Sequence, residues 1–413
     1  MSETELPDPA PRAQQQRLTS REVGEQTLLL CALIGTAQMT WGVIVPGLPL
    51  LTDRYDLAVS TLGPILAAFA IGRALANAPA GLALRWWRPR RYLWIVALAL
   101  AAVTAATGLA TTAPAIVALR FVAGLLGGAV VTVAFSVLVA GAPAGRRGSV
   151  VASSMVAMMS AAAVGAVLGG VVVEALGVGW SFVAAVLPLL GCLVWEWLRP
   201  ASHYWASYSR APTASAGHAP SGRRPLLLAL CGVSFATFFV RFAGEQGLVP
   251  VMAYDDAGLT PVTLAVVMAV GTVVSLATMP VVGRVVDGGA RVGVLLPAGL
   301  VGAAAVLALP AFDGPVLFGA ALVLYFAATT AVNVVPGVVS GDAWAAQDAG
   351  AVVGLTRTVG DIGAAVGPLA VFWVADRSGE AAACLLMGAL LAVAVTGLAA
   401  LLARRTPVVV RAG

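Results

Sequence analysis

Gly81-Leu-Ala-Leu-Arg-Trp-Trp-Arg-Pro-Arg-Arg91 follows one long apolar run, and Gly283-Arg-Val-Val-Asp-Gly-Gly-Ala-Arg291 follows another, 202 positions later. The same shift carries Gly148 onto Gly350 and Gly165 onto Gly367. Each of those pairs brackets an apolar stretch of the same length. Two halves repeat one plan, and both are too apolar for water. An internal repeat of this size in a hydrophobic chain points to a duplicated membrane protein.

Composition agrees. Sixty per cent of the 413 residues are apolar and 10% are charged, where a soluble domain carries about a quarter charged residues. The apolar residues come in blocks of roughly 20, the length that crosses ~30 Å of hydrocarbon. The blocks are continuously apolar and do not alternate, which argues against a β-barrel. Twelve spans follow, at 27–51, 60–84, 92–112, 114–140, 149–173, 180–198, 226–252, 262–283, 292–311, 315–339, 350–375 and 380–403. The expected fold is all-α: two six-helix halves, 27–198 and 226–403, a central loop 199–225, and tails 1–26 and 404–413. The first tail lacks the basic-then-apolar order of a signal peptide, so the first span stays. The central loop, rich in Ser, Ala, Pro and Arg, reads as a mobile tether.

All 24 basic residues are arginine, which suggests a GC-rich bacterial genome. The net charge of +5 implies no nucleic acid, because basic residues in a membrane protein mainly set orientation. With the N-terminus in the cytoplasm, 18 arginines fall on the inner side and only Arg54 and Arg377 on the outer side. The expectation is a multi-pass protein of the bacterial inner membrane with both termini inside. Cys31, Cys192, Cys231 and Cys384 lie in apolar runs without metal spacing. His203 and His218 share a polar loop with no other ligand nearby, so no metal site is expected there.

With these features in hand, the chain resembles the major facilitator superfamily, and within it the bacterial drug and metabolite efflux members. The likeness runs from about residue 27 to 403. Three motifs carry it. The signature loop keeps Gly81, Arg90 and Arg91 in its first copy, with Arg85 where the family has an acid, and Gly283, Asp287 and Arg291 in its second. The expected logic is a close turn at glycine and an acid that latches a gate. Arg120-Phe-Val-Ala-Gly124-Leu-Leu-Gly127-Gly128 in span four looks like the family's Arg-x-x-x-Gly-x-Gly pattern, whose arginine the resemblance implicates in proton coupling. Gly165-Ala-Val-Leu-Gly169-Gly170 in span five is similar to the antiporter signature, with Ala166 in place of its proline. Gly363 and Gly367-Pro368 recur in span eleven. As small residues, these glycines also suit plain helix packing.

Ionisable residues inside spans are costly and mark a path by default. Span seven carries Arg241 and Glu245, and span eleven Arg357 and Asp361, each pair spaced i, i+4 on one helical face. Such a pair could also be self-neutralising structural glue. Arg73 and Arg120 have no local acid. The resemblance implies a central cavity lined by spans one, four, seven and ten, which would bring in Gln38, Trp41, Tyr325 and Asn333. Glu245 is the first expectation for a proton carrier, with Asp361 and Arg120 next. The expected function is that of a monomeric secondary transporter, not an enzyme. It needs no cofactor and uses the proton gradient to export a small hydrophobic drug or metabolite. Proton-coupled uptake of a sugar, nucleoside or organic acid is the alternative. A membrane enzyme or sensor is disfavoured, because no nucleophile–base set or phosphate loop appears.

Overall fold

The computed structural model describes residues 20–84, 86–142, 147–208, 223–344 and 346–405. Twelve helices in it are long and apolar enough to span a membrane: Arg21–Arg54, Val59–Ala83, Pro89–Thr107, Ala113–Gly141, Ser149–Leu176, Val178–Leu198, Arg224–Asp255, Pro261–Asp287, Arg291–Ala311, Pro315–Ser340, Val352–Ser378 and Glu380–Arg404. They are numbered here as spans one to twelve. Each expected apolar block becomes one helix. Large apolar side chains such as Leu75, Val273 and Val393 point outward, as a lipid-facing surface requires.

Within the first half, span two packs on four, one on five, and three on four and six. In the second half seven packs on eleven, eight on ten, and nine on ten and twelve. Close approach rests on missing side chains. A Cβ at Gly124 would collide with the Phe69 carbonyl of span two, and one at Gly169 with the Val43 carbonyl of span one. Gly363 and Gly367 meet the Phe235 and Phe239 carbonyls of span seven in the same way. The repeat also survives in the turns. Gly177 between spans five and six and Gly379 between eleven and twelve both adopt left-handed backbone, with φ of 90° and 83°. They too are 202 apart.

The central connection departs from the expected tether. Ser202–Tyr208 forms a short helix with Tyr204 and Trp205 buried. Tyr204 shares a 2.5 Å hydrogen bond with Thr27, Arg199 pairs with Glu25 at 2.8 Å, and a His203 ring nitrogen lies 3.2 Å from the Gly141 carbonyl. Burial pushes the Tyr204 hydroxyl above its ordinary pKa, so it stays neutral. Aromatic residues in a Ser-rich loop gave it a buried face that composition alone hid. Residues 209–222, both tail ends and Arg85 lie outside the described residues.

Candidate functional site

Spans one and seven, equivalent members of the two halves, are both interrupted. Span one breaks after Gly42 into a 3-10 turn at Val45–Gly47 and a short helix Leu48–Arg54. Pro46 and Pro49 withdraw two backbone donors there. Span seven becomes a π-helix over Arg241–Leu248, just before Pro250. Matched interruptions in duplicated halves point to a binding site, because irregular backbone inside a membrane persists only where protein or a cavity satisfies it. The two breaks touch. The Trp41 indole donates to the Gln246 amide oxygen at 2.7 Å.

The halves meet at one end. Spans two and eleven, and five and eight, carry the main contacts between them. Beyond the midplane, on the side away from the termini, Tyr254 donates to the Pro46 carbonyl at 2.5 Å and the Val262 amide to Glu174 at 3.2 Å. A Cβ at Gly170 would stand 2.5 Å from the Pro261 carbonyl, and one at Gly63 would stand 3.0 Å from that of Pro368. The Trp41–Gln246, Arg73–Asp361, Tyr254–Pro46 and Val262–Glu174 hydrogen bonds between the halves lie at the midplane or beyond it. The cleft between the halves therefore opens toward the side that carries the termini.

At the floor of that cleft Arg73 of span two pairs with Asp361 of span eleven at 2.8 Å. The side chains are 14% and 3% exposed. At ~1.5 Å per residue, Arg73 sits roughly 16 Å from the far end of its span, near the middle. This corrects the local pairing expected of Asp361. Its i−4 neighbour Arg357 makes no ion pair and is exposed, while Asp361 reaches across the interface. Sequence spacing brought Arg357 and Asp361 onto one face. The other half supplied the better-aligned, drier partner. Arg357 and Arg241 remain within electrostatic range of Arg73. The Arg73 guanidinium also stands 4.8 Å from the Phe242 ring centroid.

Arg241 and Glu245 do pair on their own helix, but loosely, at 3.7 Å. Arg241 is 48% exposed and Glu245 11%. Glu245 lies within electrostatic range of Tyr325, which is buried in span ten. Arg120 does not snorkel. It is 1% exposed, with its guanidinium carbon 4.5 Å from the Trp41 ring and 4.7 Å from the Phe69 ring. Its Nε and one terminal nitrogen have no hydrogen-bond partner. Gln38 is half-buried with no side-chain bond described, and exposed Asn333 donates to the Thr329 carbonyl of its own helix at 3.0 Å.

The signature loops also differ from expectation. Gly81 and Gly283 lie inside helices, and a Cβ at either would meet open space. The reason is that the halves are apart at this end. Asp287 is exposed with no bond described. The arginines instead brace each half internally. Arg90 grips Glu196 through two bonds of 2.9 and 3.3 Å, and Arg291 pairs with Asp342. Arg91 is exposed. Glu196, fully buried, also accepts from the Trp94 and Trp205 indoles at 2.6 and 3.1 Å. Glu196, Asp342 and Glu174 were not singled out from sequence. Of these, only Glu196 carried a signal, as an acid near the end of an apolar block.

Comparison with known proteins adds family and fold. The sequence model of the Major Facilitator Superfamily matches residues 30–368. No functionally curated protein is significantly similar to the chain. Two solved structures of a bacterial homologue of the human lysosomal transporter Spinster share the fold. The inward-facing, unoccupied form has a TM-score of 0.72 at 13% identity, covering 94% of this chain and 98% of that one. The inward-facing, occupied form gives 0.73 at 15% identity with the same coverage.

Proposed function

The chain belongs to the Major Facilitator Superfamily and is a secondary transporter of small molecules, not an enzyme; from that premise we propose that it is driven by protons through the Arg73–Asp361 pair. One observation carries this reading. The pair joins the two halves at the midplane, with side chains 14% and 3% exposed. Protonating Asp361 removes its charge, weakens the bridge and lets the halves rock apart at the far side. A proton arriving at Asp361 is thus converted into a change of access. Glu245 bridges nothing between the halves, so it takes second place as a carrier. Arginine asymmetry between the loops supports cytoplasmic termini in a bacterial inner membrane, which makes the present cleft inward-open.

Two directions fit this latch, each favoured by its own observation. Export of a drug-like or metabolic compound in exchange for protons is favoured by the glycine-packed span five that resembles the antiporter signature. Uptake with protons is favoured by the surplus of arginine in the cleft. The test uses sealed vesicles of known sidedness. An imposed pH gradient should drive substrate movement, and added substrate should dissipate the gradient. Asp361→Asn should abolish both at normal protein level. Undiminished coupling in that variant would remove the latch from the mechanism.

A further inference from the structure

We infer that the transported compound carries an acidic group, a carboxylate or phosphate on an apolar body, and that the cleft binds it together with a proton. This rests on the transporter reading above and selects its cotransport direction. Four guanidiniums lie within the spans, exposed Arg357 and half-exposed Arg241, and deeper in the mostly buried Arg73 and the buried Arg120. Only two carboxylates answer them. Asp361 is taken by Arg73 at 2.8 Å, and Glu245 stands 3.7 Å from Arg241. No other acid among the described residues is paired with these arginines. With every group ionised the set carries an excess of two positive charges.

Arg357 is exposed and has no acid within ion-pair distance, and Arg241 is half exposed. Deeper in, Arg120 is 1% exposed with two nitrogens lacking any bond. Uncompensated charge inside a membrane protein is expensive unless a partner arrives. A guanidinium fork matches a carboxylate or phosphate in shape as well as sign. Aromatic rings pack against the two deeper arginines, Trp41 and Phe69 under Arg120 and Phe242 under Arg73, stacked on one another at 4.4 and 6.3 Å. They offer an apolar wall for the rest of the molecule. A cationic compound would have to displace arginines from both carboxylates and sit among the remaining positive charges.

The sign of coupling follows. Asp361 pairs with Arg73 of span two, which has Arg241 of span seven and Arg357 of span eleven within electrostatic range, and Glu245 faces Arg241 on its own helix. An anion seated at Arg357 and Arg241 adds negative charge beside Asp361 and Glu245 and disfavours their ionised forms. By reciprocity, a proton on either carboxylate frees an arginine and strengthens anion binding. Anion and proton therefore enter as a pair. Two negative charges competing for one guanidinium supply the coupling, with no contact between substrate and proton needed.

The test uses purified full-length protein in nanodiscs and three probes on one ring system. These are 1-naphthoate, the uncharged 1-naphthamide and the cation 1-naphthylmethylammonium. Naphthyl phosphate extends the series to the second acid. The readouts are thermal stabilisation and proton uptake, followed with a pH dye in weak buffer. The anions should stabilise the protein and take up protons on binding, while the amide and the amine do neither. Arg357→Gln and Arg241→Gln should weaken anion binding about 10- to 100-fold, and Arg357→Lys less. Arg357 is exposed, so its replacement leaves packing intact. Binding of the amine with proton release, or no anion binding, would overturn the inference and leave proton-driven transport standing. Anion binding with proton uptake, but without gradient-driven flux in vesicles, would support the inference and remove the transport mechanism instead.

Discussion

Replacing Asp361 with asparagine removes the charge that holds span two against span eleven. At 2.8 Å and an effective dielectric of about 20, the two charges attract by roughly 6 kcal/mol. Desolvation of both groups cancels part of this, and losing one member of a buried pair costs about 3–5 kcal/mol. That is roughly two to three and a half powers of ten in an equilibrium constant. The cost falls on the closed far side, because the pair exists only while the halves meet there. Spin labels at Ala58→Cys and Ser378→Cys flank the seal on exposed sites, and the four native cysteines are buried. Double electron–electron resonance should give a short distance for the parent protein. Asp361→Asn and Arg73→Gln should both shift weight to longer distances. The double variant should recover thermal stability relative to Asp361→Asn, having no orphaned guanidinium, yet stay open. An unchanged distance distribution in both single variants would refute the role of the pair in closure.

Glu245→Gln should reduce pH-driven flux in proteoliposomes less than Asp361→Asn does, because its 3.7 Å partner is half exposed and screened; equal losses would shift coupling to span seven. Glu196→Ala strands Arg90 and two indoles. It should lower the unfolding midpoint in detergent by an amount matching roughly 1–3 kcal/mol for the orphaned donors, since Arg90 itself is 43% exposed, and a drop no larger than that for Arg91→Ala would contradict the bracing role. Gly169→Ala places a methyl group on the Val43 carbonyl and should destabilise by about 1–3 kcal/mol, whereas Gly81→Ala meets open space and should be neutral in the same melt. Cysteines in 209–222 should resist membrane-impermeant reagents in intact cells while one at Asp255 reacts, and the reverse pattern would invert the orientation.

The twelve spans were legible because each is a block of apolar residues whose length the bilayer dictates, and the structure keeps all twelve. The duplication was legible at Gly81 and Gly283, and could also have been read at Gly177 and Gly379. The break in span one was half visible in Pro46 and Pro49. The π-helix of span seven was not, because Arg241-Phe-Ala-Gly-Glu245 has no local feature that separates it from an α-helix. The central ion pair was hidden for a physical reason. Its members are 288 positions apart, and Arg357 offered Asp361 a plausible partner four residues away. Local spacing shows which charges can meet on one helix. Only packing decides which of them a neighbouring half wins. The signature loops misled similarly, since a close fit at Gly81 or Gly283 is absent where the halves stand apart.

The separation of Arg73 from Asp361 has a consequence for biogenesis. Span two leaves the ribosome 288 residues before its counter-charge is made. At about 5–20 residues per second, that is an interval of roughly 15–60 s. Throughout it the nascent first half holds Arg73 in the bilayer with no acid to answer it. The newborn half-protein must lean on the insertion machinery, on lipid headgroups or on water drawn into its groove until span eleven arrives. Its folding is therefore completed from the C-terminal end. A ribosome stalled before residue 361 should leave a first half that degrades faster than one carrying Arg73→Gln, and pulse-chase labelling of such truncated chains would measure the wait.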